Sequence, residues 1–401
     1  MVSTAAWAVL GLSWMIALGW LWAAASALRG MRTLPDLTRM DVNALPALET
    51  CSLPHITVVV PACNEEEAIE GTLRSLLGST GVRLQIIAVD DRSTDRTGER
   101  MEAVAREALT SGSGHRLQVI RNRELPDGWL GKPHALHLAL QQAEASWFLF
   151  TDADVRFAPD ALERALRHAL AERADHLVLV PTMIRKSLGE SAMIANLQAP
   201  LAWALRPWKV SDPDAKDFIG VGGFNLVRAE AYAQVGGFEA LRMEVIEDMG
   251  LGWRMKQARL RSRVALGPNL VRIHWIAGFT GIVGNIEKNA FASMRYKLAR
   301  ALAVCFGLGM QIVVPLLALS LGPWGWAACL LTYAGVALVM RANRGLNGVG
   351  PWAVALYAPA MAVIWWATVR SIVLTVARRG VVWRGTLYPL AELRRQAQPW
   401  W

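Results

Sequence analysis

Charge is scarce in this sequence. Charged residues make up 19% of its 401 residues, against about 25% in a typical soluble domain. Hydrophobic residues reach 53% and the mean hydropathy is +0.27, so part of the chain is expected to sit in lipid. Acids are scarcest towards the end. Residues 301–401 hold eight Arg, no Lys and one acid, Glu392, so most of the net charge of +9 belongs there. A basic excess among apolar segments reads as positive-inside flanks and contact with anionic lipid, and it argues against nucleic-acid binding. Cysteine is scarce as well. Cys51, Cys63, Cys305 and Cys329 show no C-x-x-C spacing, which points to neither a zinc site nor a disulfide framework and agrees with a reducing, cytoplasmic setting. Internal repeats, low-complexity tracts and a Walker phosphate loop are all lacking.

Long apolar runs and tryptophan are abundant. The 18 Trp suit a chain that meets membrane–water interfaces. Residues 4–28 are apolar for long enough to form one spanning helix. A cleaved signal peptide is the rival reading, because Ala25-Ser26-Ala27 offers a small-residue cleavage site. Against it, residues 1–4 carry no positive side chain and the run is too long. Arg29, Arg32 and Arg39 follow it, so a retained anchor (1–30) with the next domain in the cytoplasm is expected. Residues 31–54 read as a linker near the interface. Three further runs, 301–321, 324–340 and 352–369, approach spanning length within a membrane region of 300–377. Three spans would leave the basic tail (378–401) on the far side, against the charge rule. One run is therefore expected to be re-entrant or interfacial, with the short 324–340 segment first in line.

Between these regions, residues 55–299 follow a different pattern. Short β-branched or apolar runs at 55–60, 84–89, 117–120, 147–150 and 177–180 alternate with helical periodicity at 66–77, 95–110, 133–143 and 159–171. That alternation predicts an α/β domain: a mainly parallel, Rossmann-like sheet with helices on both faces. Residues 191–210 read equally as an amphipathic interfacial helix or an ordinary core helix.

In open α/β sheets, ligands bind beyond the carboxyl ends of the strands. The first strand is followed by Pro61-Ala62-Cys63-Asn64-Glu65, the second by Asp90-Asp91 and the fourth by Thr151-Asp152-Ala153-Asp154. Carboxylates from three strand ends on one rim repel unless a cation sits among them. A divalent metal carrying a bound diphosphate meets that need. The acid-x-acid spacing says nothing alone, since three such triplets occur, about as many as chance provides; placement after a strand carries the weight. Gly128-Trp129-Leu130-Gly131-Lys132 precedes a helix, and its glycines, helix N-terminus and ammonium suit a phosphate, although a surface turn is the plain alternative. Glu247 and Asp248 open another helix, as N-terminal capping acids or as a general base beside a sugar.

Together these residues resemble the family 2 glycosyltransferases of the GT-A fold. The motifs VVVPACNEE, AVDDRSTDRT, GWLGK, TDADV, GGF and IEDMG occur in order. GWLGK, TDADV, KNAF, the C-terminal membrane segments and Trp383-Arg384-Gly385-Thr386-Leu387-Tyr388 look like the membrane-bound enzymes that glycosylate lipids, of the ceramide, carotenoid and hopanoid-associated types. The resemblance implies that Ala62, Asn64, Glu65 and Asp91 contact the nucleoside. It also implies that Asp152 lies near the ribose and diphosphate, that Asp154 holds Mn²⁺ or Mg²⁺, that Lys132 contacts the donor, and that Asp248, paired with Glu247, is the base of a single inverting displacement. The Q-x-x-R-W motif of processive synthases is absent; residues 286–291 stand in its place, with Lys288 or Arg384 expected to supply the missing cation. The expectation is transfer of one sugar from a nucleotide-sugar, UDP-linked in the first instance, to a hydroxyl or carboxyl of a membrane lipid or isoprenoid at the inner-membrane face. A processive polysaccharide synthase is the runner-up. A nucleotidyltransferase lacks its Gly-rich loop after the first strand, and a non-enzymatic membrane scaffold would have no use for acids at three strand ends.

Overall fold

The computed structural model describes residues 3–48, 54–110, 112, 114–275 and 278–400, apart from the side chains at 202, 203 and 347. Cys51, part of the expected linker and the Trp203 side chain lie outside the described residues.

Seven strands form the main sheet: β1 (Ile56–Ala62), β2 (Leu84–Asp91), β3 (Arg116–Asn122), β4 (Trp147–Phe150), β6 (His176–Val180), β8 (Asn225–Arg228) and β9 (Ser262–Leu266). Their spatial order is β3-β2-β1-β4-β8-β6-β9. All pairings are parallel except those of β8, which runs antiparallel to both β4 and β6. A three-stranded sheet of β5 (Val155–Phe157), β7 (Thr182–Met183) and β10 (Val271–Ile273) lies beside it.

Side chains alternate across the central strands as a two-period strand requires. Ile56, Val58 and Val60 of β1 join Leu84, Ile86 and Ala88 of β2 in the core under α2 (Ile69–Leu77), α3 (Thr97–Thr110) and α5 (Ala161–Ala171). Val59, Ile87 and Val89 point the other way, into a core under α4 (Gly131–Leu140), α7 (Ala229–Gln234) and α8 (Glu247–Gln257). The mainly parallel sheet covered on both faces is thus as the sequence predicts. In this layout the carboxyl ends of β1, β2 and β4 lie side by side.

Among the described residues, four helical stretches are long and apolar enough, by length and composition, to cross a membrane, and they contain α1 (Thr4–Gly30), α10 (Leu298–Ala318), α11 (Pro323–Ala342) and the stretch Pro351–Ala377. The last holds a 3-10 turn followed by α13 (Tyr357–Ala377). They pack with α6 (Leu188–Ala204) and α9 (Gly278–Ser293) into one apolar module. Gly335 of α11 has no side chain to spare: a Cβ there would fall 2.7 Å from Trp20 Cβ, so glycine lets α1 and α11 touch. Residues 191–204 belong to α6, whose Ala192, Ala195 and Ala199 are buried in this module.

The chain after α11 both starts and finishes at the α/β domain. After the short α12 (Arg344–Asn347), Arg185 donates to the Gly348 carbonyl at 3.2 Å. Tyr357 then lies deep in the module, where its hydroxyl and Trp20 Nε1 both donate to Gln311 at 3.1 Å. That glutamine lies about 20 Å along α10 from Leu298 at 1.5 Å per residue. From there α13 climbs back past Cys305, whose carbonyl accepts from Trp365, to Ser371, which donates to the Glu287 carbonyl. Pro351–Ala377 is thus flanked at both ends by contacts to the rest of the chain, through Arg185 before it and Glu287 near its end. Residues 380–400 of the expected interfacial tail fold onto the α/β domain. They form the hairpin β11 (Gly380–Trp383) and β12 (Thr386–Pro389), then α14 (Leu390–Gln396), and end in a buried Trp400.

Candidate active site

Four charged groups meet at the centre of the rim. Lys132, on the first turn of α4, lies 2.6 Å from Asp152 Oδ1 and 2.5 Å from Glu247 Oε1. Asp152 follows β4, and Glu247 and Asp248 open α8. Glycines hold these parts close. A Cβ on Gly222 would sit 2.6 Å from Asp152 Oδ2, and one on Gly220 would collide with the Asp248 carbonyl at 1.8 Å. The plain capping alternative does not describe Glu247, which turns to Lys132 while the N-cap, Ile246, has no side-chain cap; Asp248 does accept from a first-turn N–H, that of Met249.

The electrostatics of the cluster are lopsided. Burial alone would discharge Lys132, but Asp152, Glu247 and Asp248 outweigh it and hold the ammonium more firmly charged than an ordinary lysine. Asp248 shifts the other way. Burial, and then the charge of Glu247, raise its pKa well above the usual carboxylate range; Lys132 and the Met249 N–H, which donates to Oδ1 at 2.7 Å, offset this only in part. A carboxylate with raised proton affinity in a cleft is what a general base requires. Lys288, from α9, faces the same cluster. Burial lowers its pKa, Glu247 opposes that, and its ammonium lies 4.4 Å from the centre of the Trp383 ring.

Asp154 is pushed up to about 7 by burial, then by the neighbouring charges of Asp152 and Glu65. Burial leads that rise, and the two neighbouring carboxylates that add to it are negative charge that a divalent cation would offset. Hard cations take carboxylate oxygens and share substrate phosphates. Among the described residues no three His, Cys, Asp or Glu side chains converge as a closed cage, so further oxygens would come from a bound molecule.

At the outer edge, the loops after β1 and β2 are laced together. The Asn64 N–H donates to Ser93 Oγ, Asn64 Oδ1 accepts from the Thr94 N–H, and the Glu65 N–H donates to Thr97 Oγ1. Asn64 takes φ 56° in doing so. Ala62 ends β1 opposite Asp90. Asp91 is buried, gripped by Arg92 through two 3.0 Å bonds and by Asn122 Nδ2 at 2.8 Å. Gly131 abuts it, since a Cβ there would lie 2.5 Å from Asp91 Oδ2. The β11–β12 hairpin closes this edge. Its two central residues, Arg384 and Gly385, both have positive φ, as a two-residue primed turn demands, and the turn delivers Arg384 to Glu65 at 2.7 Å.

Every residue singled out from the sequence thus lies on one rim, in three groups: Lys132, Asp152, Glu247, Asp248 and Lys288 at the centre, Asp154 beside them, and Ala62, Asn64, Glu65, Asp91 and Arg384 at the edge. Two contributors are additional. Asn122 ends β3, and the strand-end rule that picked out the acids reaches it too. Tyr388, whose hydroxyl accepts from the Gly131 N–H at 3.4 Å, ends the Trp383–Tyr388 stretch noted in the sequence, where it had no role of its own.

A mainly parallel sheet, one antiparallel strand beside its centre and an acid-lined rim at the strand ends define a GT-A fold. The family model described as glycosyl transferase family 2 matches residues 57–236, so this part of the chain is similar to that family. The 4,4'-diaponeurosporenoate glycosyltransferase of Staphylococcus aureus (strain USA300) is 29% identical over 201 residues, covering 49% of this chain and 50% of that protein; strain NCTC 8325 gives the same values. The match spans about half the length of these curated relatives. Among solved structures, the mannosyltransferase PcManGT from Pyrobaculum calidifontis, in complex with GDP-Man and Mn²⁺, aligns with 91% of this chain and 99% of its own. Its TM-score is 0.52 at 17% identity, a likeness of fold.

Proposed function

We propose that this chain is a membrane-embedded, inverting glycosyltransferase that moves one sugar from a nucleotide-sugar to a lipid or isoprenoid acceptor. The observation that carries the reading is Asp248. It is a carboxylate with raised proton affinity, set beside a lysine-bridged acid cluster at the strand-end rim. The relative from Staphylococcus aureus supports a carotenoid-type acceptor, and the fold likeness supports a nucleotide-sugar donor.

In this mechanism Ala62, Asn64, Glu65 and Asp91 line the nucleoside end of the cleft. Lys132, Asp152 and Lys288 surround the diphosphate and the transferred sugar. Asp248 takes the proton of the acceptor hydroxyl as its oxygen attacks the anomeric carbon. The bond from that carbon to the diphosphate oxygen breaks, its electron pair leaves with the nucleoside diphosphate, and the anomeric configuration inverts. Asp154 would hold Mn²⁺ or Mg²⁺, which when bound offsets the charge of the leaving diphosphate. On this reading α1, α10 and α11 cross the inner membrane, Pro351–Ala377 dips in and returns, and the catalytic domain and basic C-terminal residues share the cytoplasmic side. That arrangement removes the parity conflict of three complete C-terminal spans.

The test is direct. Purified protein is incubated with Mn²⁺, UDP- and GDP-sugars and a bacterial lipid extract, and products are read by mass spectrometry. A lipid that gains one hexose mass is the expected result. A ladder of added hexoses would instead indicate a processive synthase, and no gain of mass together with no nucleotide-sugar binding would overturn the proposal.

A further inference from the structure

A second cavity, of about 460 Å³, opens where α1 meets the catalytic domain and shares no residue with the acid cluster. One wall is the end of α1, with Trp22, Ser26 and Arg29; the other is Trp208, Lys209 and Asp212. The sequence builds it deliberately tight at its base. A Cβ on Gly30 would fall 2.2 Å from the Trp208 ring, so only glycine lets the 3-10 turn Pro207–Lys209 lie against the helix. The far wall is pinned to the catalytic domain by Lys256 of α8, whose ammonium donates to the carbonyls of Val210 and Asp212 at 2.9 and 2.5 Å.

Its chemistry is two-sided. Arg29 and Lys209 supply two cations, and Asp212, 3.9 Å from Lys209, supplies one anion. Below Arg29 an apolar stripe runs down the outside of α1. Met15, Leu18 and Trp22 are 63%, 58% and 61% exposed, and Met15, Trp22 and Arg29 recur every seven residues, on one helical face. A cation-lined cavity at the top of an exposed apolar stripe complements an amphiphile. A soluble anion would use the cations and leave the stripe bare.

We propose that this cavity binds the headgroup of a glycerophospholipid. Its phosphate lies between Arg29 and Lys209, and its acyl chains run along Trp22, Leu18 and Met15. The site rests on the reading of α1 as membrane-embedded, and it lies apart from the acid cluster. Trp22 and Trp208 flank the headgroup at the depth where indoles favour the interface, and binding clamps the anchor to the loop that Lys256 holds.

The experiment uses the full chain purified in detergent and native mass spectrometry. Phosphatidylglycerol, phosphatidylethanolamine and inorganic phosphate are added in separate arms. The expected result is a retained phospholipid whose occupancy falls about tenfold or more, equivalent to about 1.4 kcal/mol, in R29Q/K209Q and in the cavity-filling S26W. R32Q, which removes a charge outside the cavity lining, should keep it. Unchanged retention in both test variants, equal loss in R32Q, or displacement of the lipid by inorganic phosphate would each overturn the proposal. Alkaline carbonate extraction of membranes, run alongside, separates the two readings. Wild-type protein released into the supernatant defeats the membrane assignment itself; protein kept in the pellet with retention unchanged defeats only the headgroup site.

Discussion

Glu244 and Glu247 are three residues apart, both buried, and placed in opposite electrostatic situations. Glu244 meets Arg295 through two bonds of 3.0 and 2.6 Å. Trp400 stacks over that guanidinium at 4.3 Å, and the Gln398 N–H donates to the same carboxylate. One acid has one cation, and the C-terminal residues close the lid. Glu247 instead shares the single ammonium of Lys132 with Asp152 and with the charge of Asp248. Both are buried acids near the start of α8. The back pair is balanced and closed, which makes it structural; the front cluster is under-neutralised and open to the cleft, which makes it chemical. Burial does not separate the two, but the count of charges does.

The sharpest way to break this contrast is Asp248→Asn. It keeps shape and removes the base, so transfer to a hydroxyl acceptor should fall by about 10²–10⁴-fold, while nucleotide-sugar affinity, measured by calorimetry, stays within about twofold. A carboxylate acceptor is already ionised and needs no base, so the loss there should be far smaller. Full turnover by the variant on a hydroxyl acceptor would remove Asp248 from the mechanism.

Second in size is Glu244→Gln at the back. Breaking a buried pair leaves Arg295 uncompensated and should destabilise the domain by about 3–5 kcal/mol, seen as a lower thermal midpoint in detergent. Any activity that survives should keep the wild-type pH profile. A shifted profile would mean that the back pair tunes the base as well as bracing it.

Much of this contrast was legible in the sequence, but unevenly. Alternating apolar runs gave the strands to within a few residues, because two-residue and 3.6-residue periods differ strongly. The strand at 147–150 coincides with β4. The helix read from Glu66 begins at Ile69, because Glu65, Glu66 and Asn64 are spent on hydrogen bonds to the β2 loop. Of the front acids, Asp152 announced itself by following a strand, and Glu247 and Asp248 by opening a helix within the ordered set of motifs. The back pair could not. Glu244, Arg295 and Trp400 come from three distant segments, and only the folded chain brings them together. The course of Pro351–Ala377 escaped for a similar reason. Hydropathy reports length, whereas the direction of Pro351–Ala377 is set by the hydrogen bonds of Tyr357 and Ser371 and by the hairpin beyond it.

The front cluster also makes a prediction about pH. Lys132 lowers the pKa of Asp248, so Lys132→Met should raise it further. Below its pKa the carboxyl holds its proton and cannot act as base. Activity should therefore fall on the acid side, and the midpoint of that limb should move to higher pH in the variant. Profiles of kcat/KM measured from pH 5 to 9 would show the move. A limb that stays put or moves to lower pH would mean that a different group carries it.

The smallest stability effect belongs to Arg384, at the rim between the two regimes. Its bond to Glu65 at 2.7 Å joins side chains 38% and 28% exposed, and such pairs contribute at most about 1 kcal/mol. Arg384→Ala should leave the thermal midpoint almost unchanged. Donor affinity is the more telling readout. If Arg384 leaves Glu65 to meet an incoming diphosphate, the variant should bind nucleotide-sugar several-fold more weakly, and added salt should narrow the gap by screening the exposed charge. Lys288→Ala should weaken donor binding with less dependence on salt, because its ammonium is enclosed by Trp383 and the acid cluster. Intact donor affinity in one variant would assign the diphosphate contact to the other. Intact affinity in both would return the whole task to Lys132, leaving the hairpin as a brace on Glu65.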